Sequence, residues 1–288
     1  MSSTYYSRRA HSASGSQPVC PPSPYRRLAP PPAPAEVCPD AVPACIPSPS
    51  QWALSAFSFP FSPKQIEVLD SPAHYLMLCC SRQWGKTTTI AVKALHHAVH
   101  RPHQSIVVLS PCLYQANLLI DVFSSYAQQL GFPIRRHLGR RESFVLPNGS
   151  RIAAVPHKED TSVGRTAHIF IVDEAARVSD KIYFTASAFL TRTQGSVWLL
   201  STPKRQTGFF YNYWHSQDAH WHRVFSPVTD CPDIDPLFLH MQQAANPTLY
   251  AQDFECRFLP SDSSLTSRDF VNRMLFSPSE LAQRRNRQ

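Results

Sequence analysis

The stretch Tyr75–Thr87 reads YLMLCCSRQWGKT. Residues 75–80 form an apolar run of strand length, which predicts a buried β-strand. Residues 87–100, TTTIAVKALHHAVH, carry a helical pattern. Ser81-Arg82-Gln83-Trp84-Gly85-Lys86-Thr87 therefore sits between a strand and a helix, where a phosphate-binding loop must be. There the helix's first N–H groups face phosphate oxygens. The lysine reaches the β- and γ-phosphates, and the hydroxyl after it ligates Mg²⁺. This assigns phosphate contact to Lys86, Mg²⁺ to Thr87, and nucleotide binding to Ser81, Arg82, Gln83, Trp84 and Gly85. One residue departs from the pattern G-x-x-x-x-G-K-[ST]: position 80 is Cys80, not glycine.

Working outward, the chain alternates short apolar runs with amphipathic stretches. SIVVLS at 105–110 predicts a second strand, and 113–130 a second long helix. Residues 143–146 and 151–155 flank Pro147-Asn148-Gly149, a hairpin signal. IFIV at 169–172 and VWLL at 197–200 are further strands. Continuous apolar strands separated by helices imply a mostly parallel sheet covered on both faces. The expected fold class is α/β, a three-layer α/β/α P-loop NTPase.

Two strand ends add chemistry. The strand at 169–172 runs into Asp173-Glu174, about ninety residues after the loop. Asp173 is placed to hold the Mg²⁺ shell, and Glu174 to orient and deprotonate an attacking water. The bland alternative is a strand ending in a solvated acidic turn. Ser201-Thr202-Pro203 follows the strand at 197–200, at the sheet edge where open α/β folds bind ligands. Thr202 there is suited to sensing the γ-phosphate, or is a simple Ser/Thr turn before proline. Arg82 offers a guanidinium for charge developing on the γ-phosphate. Gln65 precedes the first strand and offers an amide to an adenine edge, or is a surface glutamine. Glu174, Arg82 and Lys86 are thus the catalytic candidates.

Composition bounds the rest. Lys and Arg number 28 against 20 Asp and Glu, a formal charge of +8. That suits a polyanionic partner such as nucleic acid, and equally an ordinary basic surface. Eight cysteines show no CxxC pair, which argues for reduced thiols rather than a disulfide framework or zinc site. No run approaches the ~18–20 apolar residues of a membrane span, and no signal peptide is evident, so a soluble intracellular protein is expected. Twelve of the 27 prolines fall within residues 1–50, and proline removes backbone donors and favours extended chain. The expected domains are a disordered Pro-rich arm over 1–55, the ATPase domain over 56–262, and a short basic tail over 263–288. His96, His97, His100 and His103 lack carboxylate or cysteine partners at ligand spacing, so an exposed histidine-rich helix face is expected rather than a metal site. For His215, His220 and His222, packing among aromatic residues is expected. Arg135-Arg136 and Arg140-Arg141 are DNA-phosphate candidates or solvated charge.

Gln65, the Ser-Arg-Gln-x-Gly-Lys-Thr loop, the apolar strand with Asp173-Glu174, and Ser201-Thr202-Pro203 occur in an order and spacing that resemble the ATPase domain of the large terminase subunit of tailed phages. Leu109-Ser110-Pro111 with Gln115, the Pro147–Ser150 hairpin, Gly164-Arg165-Thr166-Ala167, Gly208–Tyr211 and Phe254–Phe258 fit the same pattern. The resemblance implies a motor that uses ATP and Mg²⁺ to move double-stranded DNA. It also implies a portal protein and small terminase subunit as partners, a homo-oligomeric working state, and action in the cytoplasm of a bacterial host. It makes Arg82 an in-loop trigger, Thr202 part of the motif coupling hydrolysis to movement, and Gln65 the adenine contact. Family members normally continue into a nuclease domain. Asp262 and Asp269 do not map onto its acid cluster, so nuclease activity is not expected. Two other readings stand beside it: a helicase-like DNA-remodelling ATPase, and a truncated non-catalytic prophage remnant or scaffold.

Overall fold

The computed structural model describes residues 46–57, 60–136, 143–155, 166–231 and 233–260. All of these belong to one compact unit that starts at Ile46. Among them, eight strands build a single sheet: β1 (Tyr75–Cys80), β2 (Ser105–Leu109), β3 (Arg135–Arg136), β4 (Ser143–Val145), β5 (Arg151–Ala154), β6 (Ile169–Asp173), β7 (Ser196–Ser201) and β8 (Trp221–Ser226). Their order is β3-β4-β5-β2-β6-β7-β1-β8. Every pairing from β5 to β8 is parallel, while β3–β4 and β4–β5 are antiparallel. The helices are α1 (Pro49–Ala56), α2 (Pro63–Asp70), α3 (Lys86–His100), α4 (Leu113–Gln129), α5 (Asp180–Ser187), α6 (Gly208–His215), α7 (Pro236–Ala245) and α8 (Pro247–Asp253).

Alternation along the strands sorts the core into two layers, because successive side chains point to opposite sheet faces. Leu76 and Leu78 of β1 join Ile106, Val108 and Ile171 beneath Leu95 of α3 and Leu119 and Phe123 of α4. Met77 and Cys79 join Val107, Phe170, Val172 and Leu199 against Tyr183 of α5 and Phe209 and Phe210 of α6. Both faces are covered, so the three-layer α/β/α class is what the chain adopts. The hairpin signal also holds: Gly149 takes φ 82, and Asn148 Nδ2 donates to Ala98 O at 2.8 Å and Val99 O at 3.0 Å, closing the end of α3.

Three expectations need correction. The Pro-rich arm does not extend to residue 55, because α1 is an ordered helix within it. Ser48 caps α1 reciprocally with Gln51, Pro49 takes the first helical turn, and Ala53 and Phe57 pack with Leu69 and Val92. Proline at N1 is favourable because that N–H has no helical partner anyway. Residues 1–45 and the 263–288 tail lie outside the described residues, as do Arg140, Arg141 and Arg165. Of the histidines expected on an exposed face, His103 is exposed beyond the end of α3 and His97 is half-buried on Gln104, but His96 and His100 lie under Trp52 of α1. His96 is buried, its Nε2 bonds Pro47 O at 2.9 Å, and Trp52 sits edge-on to the rings of His96 and His100. Burial pushes the His96 imidazole down to about 4. Among His215, His220 and His222, the first packs against Tyr211 and Phe258, with its Nδ1 3.0 Å from Tyr211 O. His222 bonds Ser71 Oγ at 2.7 Å and Glu67 Oε1 at 3.1 Å, and the exposed His220 bonds Asp218 at 2.7 Å. Cys79, Cys80, Cys112, Cys231 and Cys256 are free thiols. No helix among the described residues is long and apolar enough to cross a membrane.

Candidate functional site

The sheet order lines up three strand ends. β7 lies between β6 and β1, with Asp173 opposite Leu200 and Ser201 opposite Cys79. The acid pair, the Ser-Thr pair and the phosphate loop therefore share the C-terminal edge of the sheet, where parallel strands present ligands.

The loop is held by bonds to the rest of the domain. Ser81 N donates to Ser226 O at 2.9 Å, and Arg82 N to Asp253 O at 2.8 Å. Cys80, where the motif pattern asks for glycine, is the last residue of β1, fully buried and paired with Ser226. An extended strand residue accommodates a side chain, so this substitution imposes no backbone cost. The glycine that is needed is Gly85. It caps α3 at φ 88, and a Cβ there would lie 2.8 Å from Gln65 Nε2. Gln83 also takes a positive φ, 62, which bends the loop before the helix.

A cavity of about 550 Å³ opens on this loop, lined by Arg82, Gln83, Trp84, Gly85, Lys86, Thr87, Gln115, Glu174, Arg177 and Thr202. Its size suits a nucleotide, within the roughly 300–1,000 Å³ typical of ligand sites. The N–H groups of the first turn of α3 have no carbonyl four residues earlier and are available to phosphate. Lys86 Nζ donates to Ser81 O at 2.8 Å and Cys80 O at 3.2 Å, which folds it over the loop. The Arg82 guanidinium donates from Nε to Asp253 Oδ2 at 2.6 Å. Asp253 ends α8 and takes a second bond from Gln252 Nε2 at 3.0 Å.

Across the cavity, Glu174 follows β6 in the left-handed region at φ 50, ψ 44 and starts a 3₁₀ turn over Ala175–Arg177. Its Oε2 accepts from Arg177 Nε at 3.0 Å. Asp173 is pushed up to about 6, first by burial and then by the neighbouring Glu174 charge, with Lys86 acting in the opposite sense. A carboxylate so placed gains from a cation beside it, and Thr87 and Asp173 are both hard oxygen donors of the kind Mg²⁺ takes. The residues present thus fit the metal. Thr202 is buried and lines the cavity, and Ser201 Oγ accepts from Ala176 N at 3.2 Å while donating to Thr202 O at 2.6 Å. That bond ties the hydroxyl pair to the acidic turn.

Some expected residues sit elsewhere. Gln65 does not line the cavity. Its Nε2 donates to Trp84 O at 2.8 Å, and its Oε1 accepts from Ser62 N at 2.8 Å as the N3 partner of the α2 capping box. The amide that sequence reasoning offered to adenine is engaged at both ends and braces the loop. The Trp84 ring is 3% exposed and belongs to the core, so this residue offers the cavity its backbone. Ser81 and Asp173 are not among the lining residues. Two cavity-lining residues have weak signals or none, Gln115 in the first turn of α4 and Arg177 three residues after Glu174, and so does Asp253, far along the chain from the Arg82 it holds.

A strand–loop–helix with Gly-Lys-Thr, an acid pair on a neighbouring strand end and a hydroxyl pair between them define the class of P-loop nucleotide-binding domains. The family described as terminase large subunit, T4likevirus-type, N-terminal, matches residues 77–267, and the chain belongs to it. A probable terminase large subunit of Enterobacteria phage P7 is 29% identical over 133 residues, which are 41% of this chain and 27% of that protein. The large terminase ATPase domain of Thermus phage P74-26 superposes with a TM-score of 0.66 at 17% identity, over 74% of this chain and all of that domain. The large terminase of a second thermophilic bacteriophage, solved in complex with ADP, superposes with a TM-score of 0.62 at 15% identity, over 69% of this chain and 54% of that one.

Proposed function

We propose that this chain is the ATP-hydrolysing motor domain of a DNA-packaging protein, coupling Mg²⁺-dependent ATP hydrolysis to translocation of double-stranded DNA. The observation that carries this reading is that one cavity joins Lys86 and Thr87 of the loop to Glu174 and Thr202 of the facing strand ends. ATP is the substrate, and its phosphates lie along the first turn of α3 and against Lys86. Once the lysine meets phosphate it exchanges the two strand-end carbonyls for a charged partner. Thr87 and Asp173 would hold Mg²⁺, which when bound supplies charge neutralisation between the β- and γ-phosphates. Glu174 orients a water for in-line attack and takes its proton. Arg82 leaves Asp253 to meet charge developing on the γ-phosphate, so hydrolysis is felt at α8. The Ser201–Ala176 bond carries a change at the acidic turn to Thr202. A basic chain suits the polyanion, and a portal protein, a small terminase subunit and further copies of this chain are the proposed partners, in the cytoplasm of a bacterial host.

The test is steady-state hydrolysis of ATP with Mg²⁺, with and without linear duplex DNA, by wild type and Glu174→Gln. DNA-stimulated turnover that falls by about 10²–10⁴-fold in the variant is expected. A variant as active as wild type would remove Glu174 from the mechanism.

A further inference from the structure

Arg177 and Glu174 are joined in a way that the ATPase reading alone does not require. The 3₁₀ turn returns Arg177 over Glu174: Arg177 N donates to Glu174 O at 2.8 Å, and the side chains pair between Nε and Oε2 at 3.0 Å. Ala175 is buried in the core and Ala176 is held by Ser201, so the turn is a fixed support for the pair. The pair is also reachable. Its side chains are 29% and 26% exposed, and both residues line the cavity with Lys86 and Thr87. A guanidinium presents a planar fork of donors that matches phosphate, and here it spends one donor on one carboxylate oxygen.

We propose that Arg177 is a latch on the catalytic carboxylate that opens only for a γ-phosphate. With the cavity empty or filled by a nucleoside diphosphate, Arg177 stays on Glu174. A γ-phosphate entering beside Lys86 brings oxygens that compete for the guanidinium. Arg177 exchanges Glu174 for them, and the freed carboxylate takes the water. No covalent step is involved, only an exchange of ion-pair partners. The driving force is the difference in affinity between the two states, which is all that a ligand can contribute. Arg177 is thus a positioning residue for Glu174 and a sensor of the third phosphate. The inference rests on the reading of Glu174 as the catalytic carboxylate.

The test reads binding rather than turnover: affinities for ADP and for ATP-γ-S, each with Mg²⁺, in wild type, Arg177→Met, Glu174→Gln and the double variant. Arg177→Met is expected to weaken ATP-γ-S by about tenfold and ADP by less than about twofold, the size of one charge-assisted bond. Glu174→Gln removes the competitor and should tighten ATP-γ-S by about threefold or more, leaving ADP unchanged. That gain should vanish when Arg177→Met is also present, since the two residues act as one unit. Equal weakening of both nucleotides by Arg177→Met would show a merely structural role. A gain that survives in the double variant would show simple relief of charge repulsion. Either result overturns the latch while leaving the ATPase reading intact, whereas a wild type that binds neither nucleotide overturns both. Should Arg177→Met fail to fold, Arg177→Lys carries the same comparison: it keeps the charge but loses the fork, and it should still weaken ATP-γ-S more than ADP.

Discussion

Along β1 every residue after Tyr75 is buried, and α3 buries nine of its fifteen, from Thr89 to Ala98. Helix α7, which packs on α8, has no buried residue. It leaves Leu237 66%, Phe238 44% and Met241 61% exposed. The loop between β1 and α3 is braced from several directions, by Gln65, Ser226 and Asp253. α7 joins the site through α8, whose last residues Gln252 and Asp253 are buried, and through Cys231 ahead of it, whose Sγ lies 3.7 Å from Ser81 Oγ. Precision and movement reside in different parts of the domain. Groups that must meet phosphate oxygens within tenths of an ångström are set by packing, and local stability falls where buried apolar contact is sparse. A segment joined to the loop by the Arg82–Asp253 ion pair and the Arg82 N–Asp253 O bond can respond to what the Arg82 side chain binds without disturbing β1 or α3.

Equivalent truncations in the two regions should differ sharply. Leu95→Ala, at a fully buried position of α3, is expected to cost about 2–5 kcal/mol in urea denaturation through lost transfer energy and the cavity left behind. A loss under about 1 kcal/mol would show that the α3 side is looser than its burial implies.

Acid should attack the same buried side. Burial holds the His96 imidazole down at about 4, and the nearby His100, Arg101 and His97 act in the same direction. In the unfolded chain it binds a proton near the ordinary value of about 6.5, so between these limits the unfolded state carries more protons. The contribution is therefore fully present above about pH 6.5 and is lost as pH falls toward 4, on the order of 3 kcal/mol in all. His96→Gln should flatten that slope in pH-dependent melting, and an unchanged slope would assign acid sensitivity elsewhere.

These expectations also mark what could be read from the chain alone. β1, β2, β6, β7 and the helices α3 and α4 announce themselves, because a parallel sheet buried on both faces demands unbroken apolar runs. Lys86 and Thr87 at the start of α3, and Asp173 and Glu174 at the end of β6, stand out in the sequence because the proposed chemistry needs those residue types at those places. Helix α1 is hidden by the proline-rich stretch ahead of it, although Ser48, Pro49 and Gln51 spell a helix start once composition is set aside. β8 reads poorly because an edge strand needs only part of its surface apolar, and Trp221–Ser226 includes His222 and Arg223. Position in the chain does not show which way the Gln65 amide turns, and here it bonds Trp84 O and Ser62 N. Asp253 carries no local signal at all: only the fold brings it to Arg82.

Smaller effects sharpen the contrast. Asp253→Asn removes the charge that holds Arg82, whose side chain is 56% exposed, so the stability loss should stay within about 1 kcal/mol. Its consequence should appear instead as a changed ratio of DNA-stimulated to basal ATP hydrolysis. A ratio equal to wild type would mean that the contact does not report on the nucleotide. Smallest of all, Leu237→Ala on α7 should shift stability by no more than about 0.5 kcal/mol, as surface substitutions do. A core-sized loss would place a covering partner over that helix.

The most direct test of a fixed catalytic scaffold with a nucleotide-responsive α7–α8 segment is amide hydrogen exchange on the wild-type chain, without nucleotide and with ATP-γ-S and Mg²⁺. The account predicts slow exchange in β1 and in α3 beyond its first turn under both conditions, with ATP-γ-S altering exchange in 236–253 and in the acidic turn 174–177. Nucleotide binding that leaves 236–253 unchanged, or that alters β1 and α3 as much as α7 and α8, would contradict it.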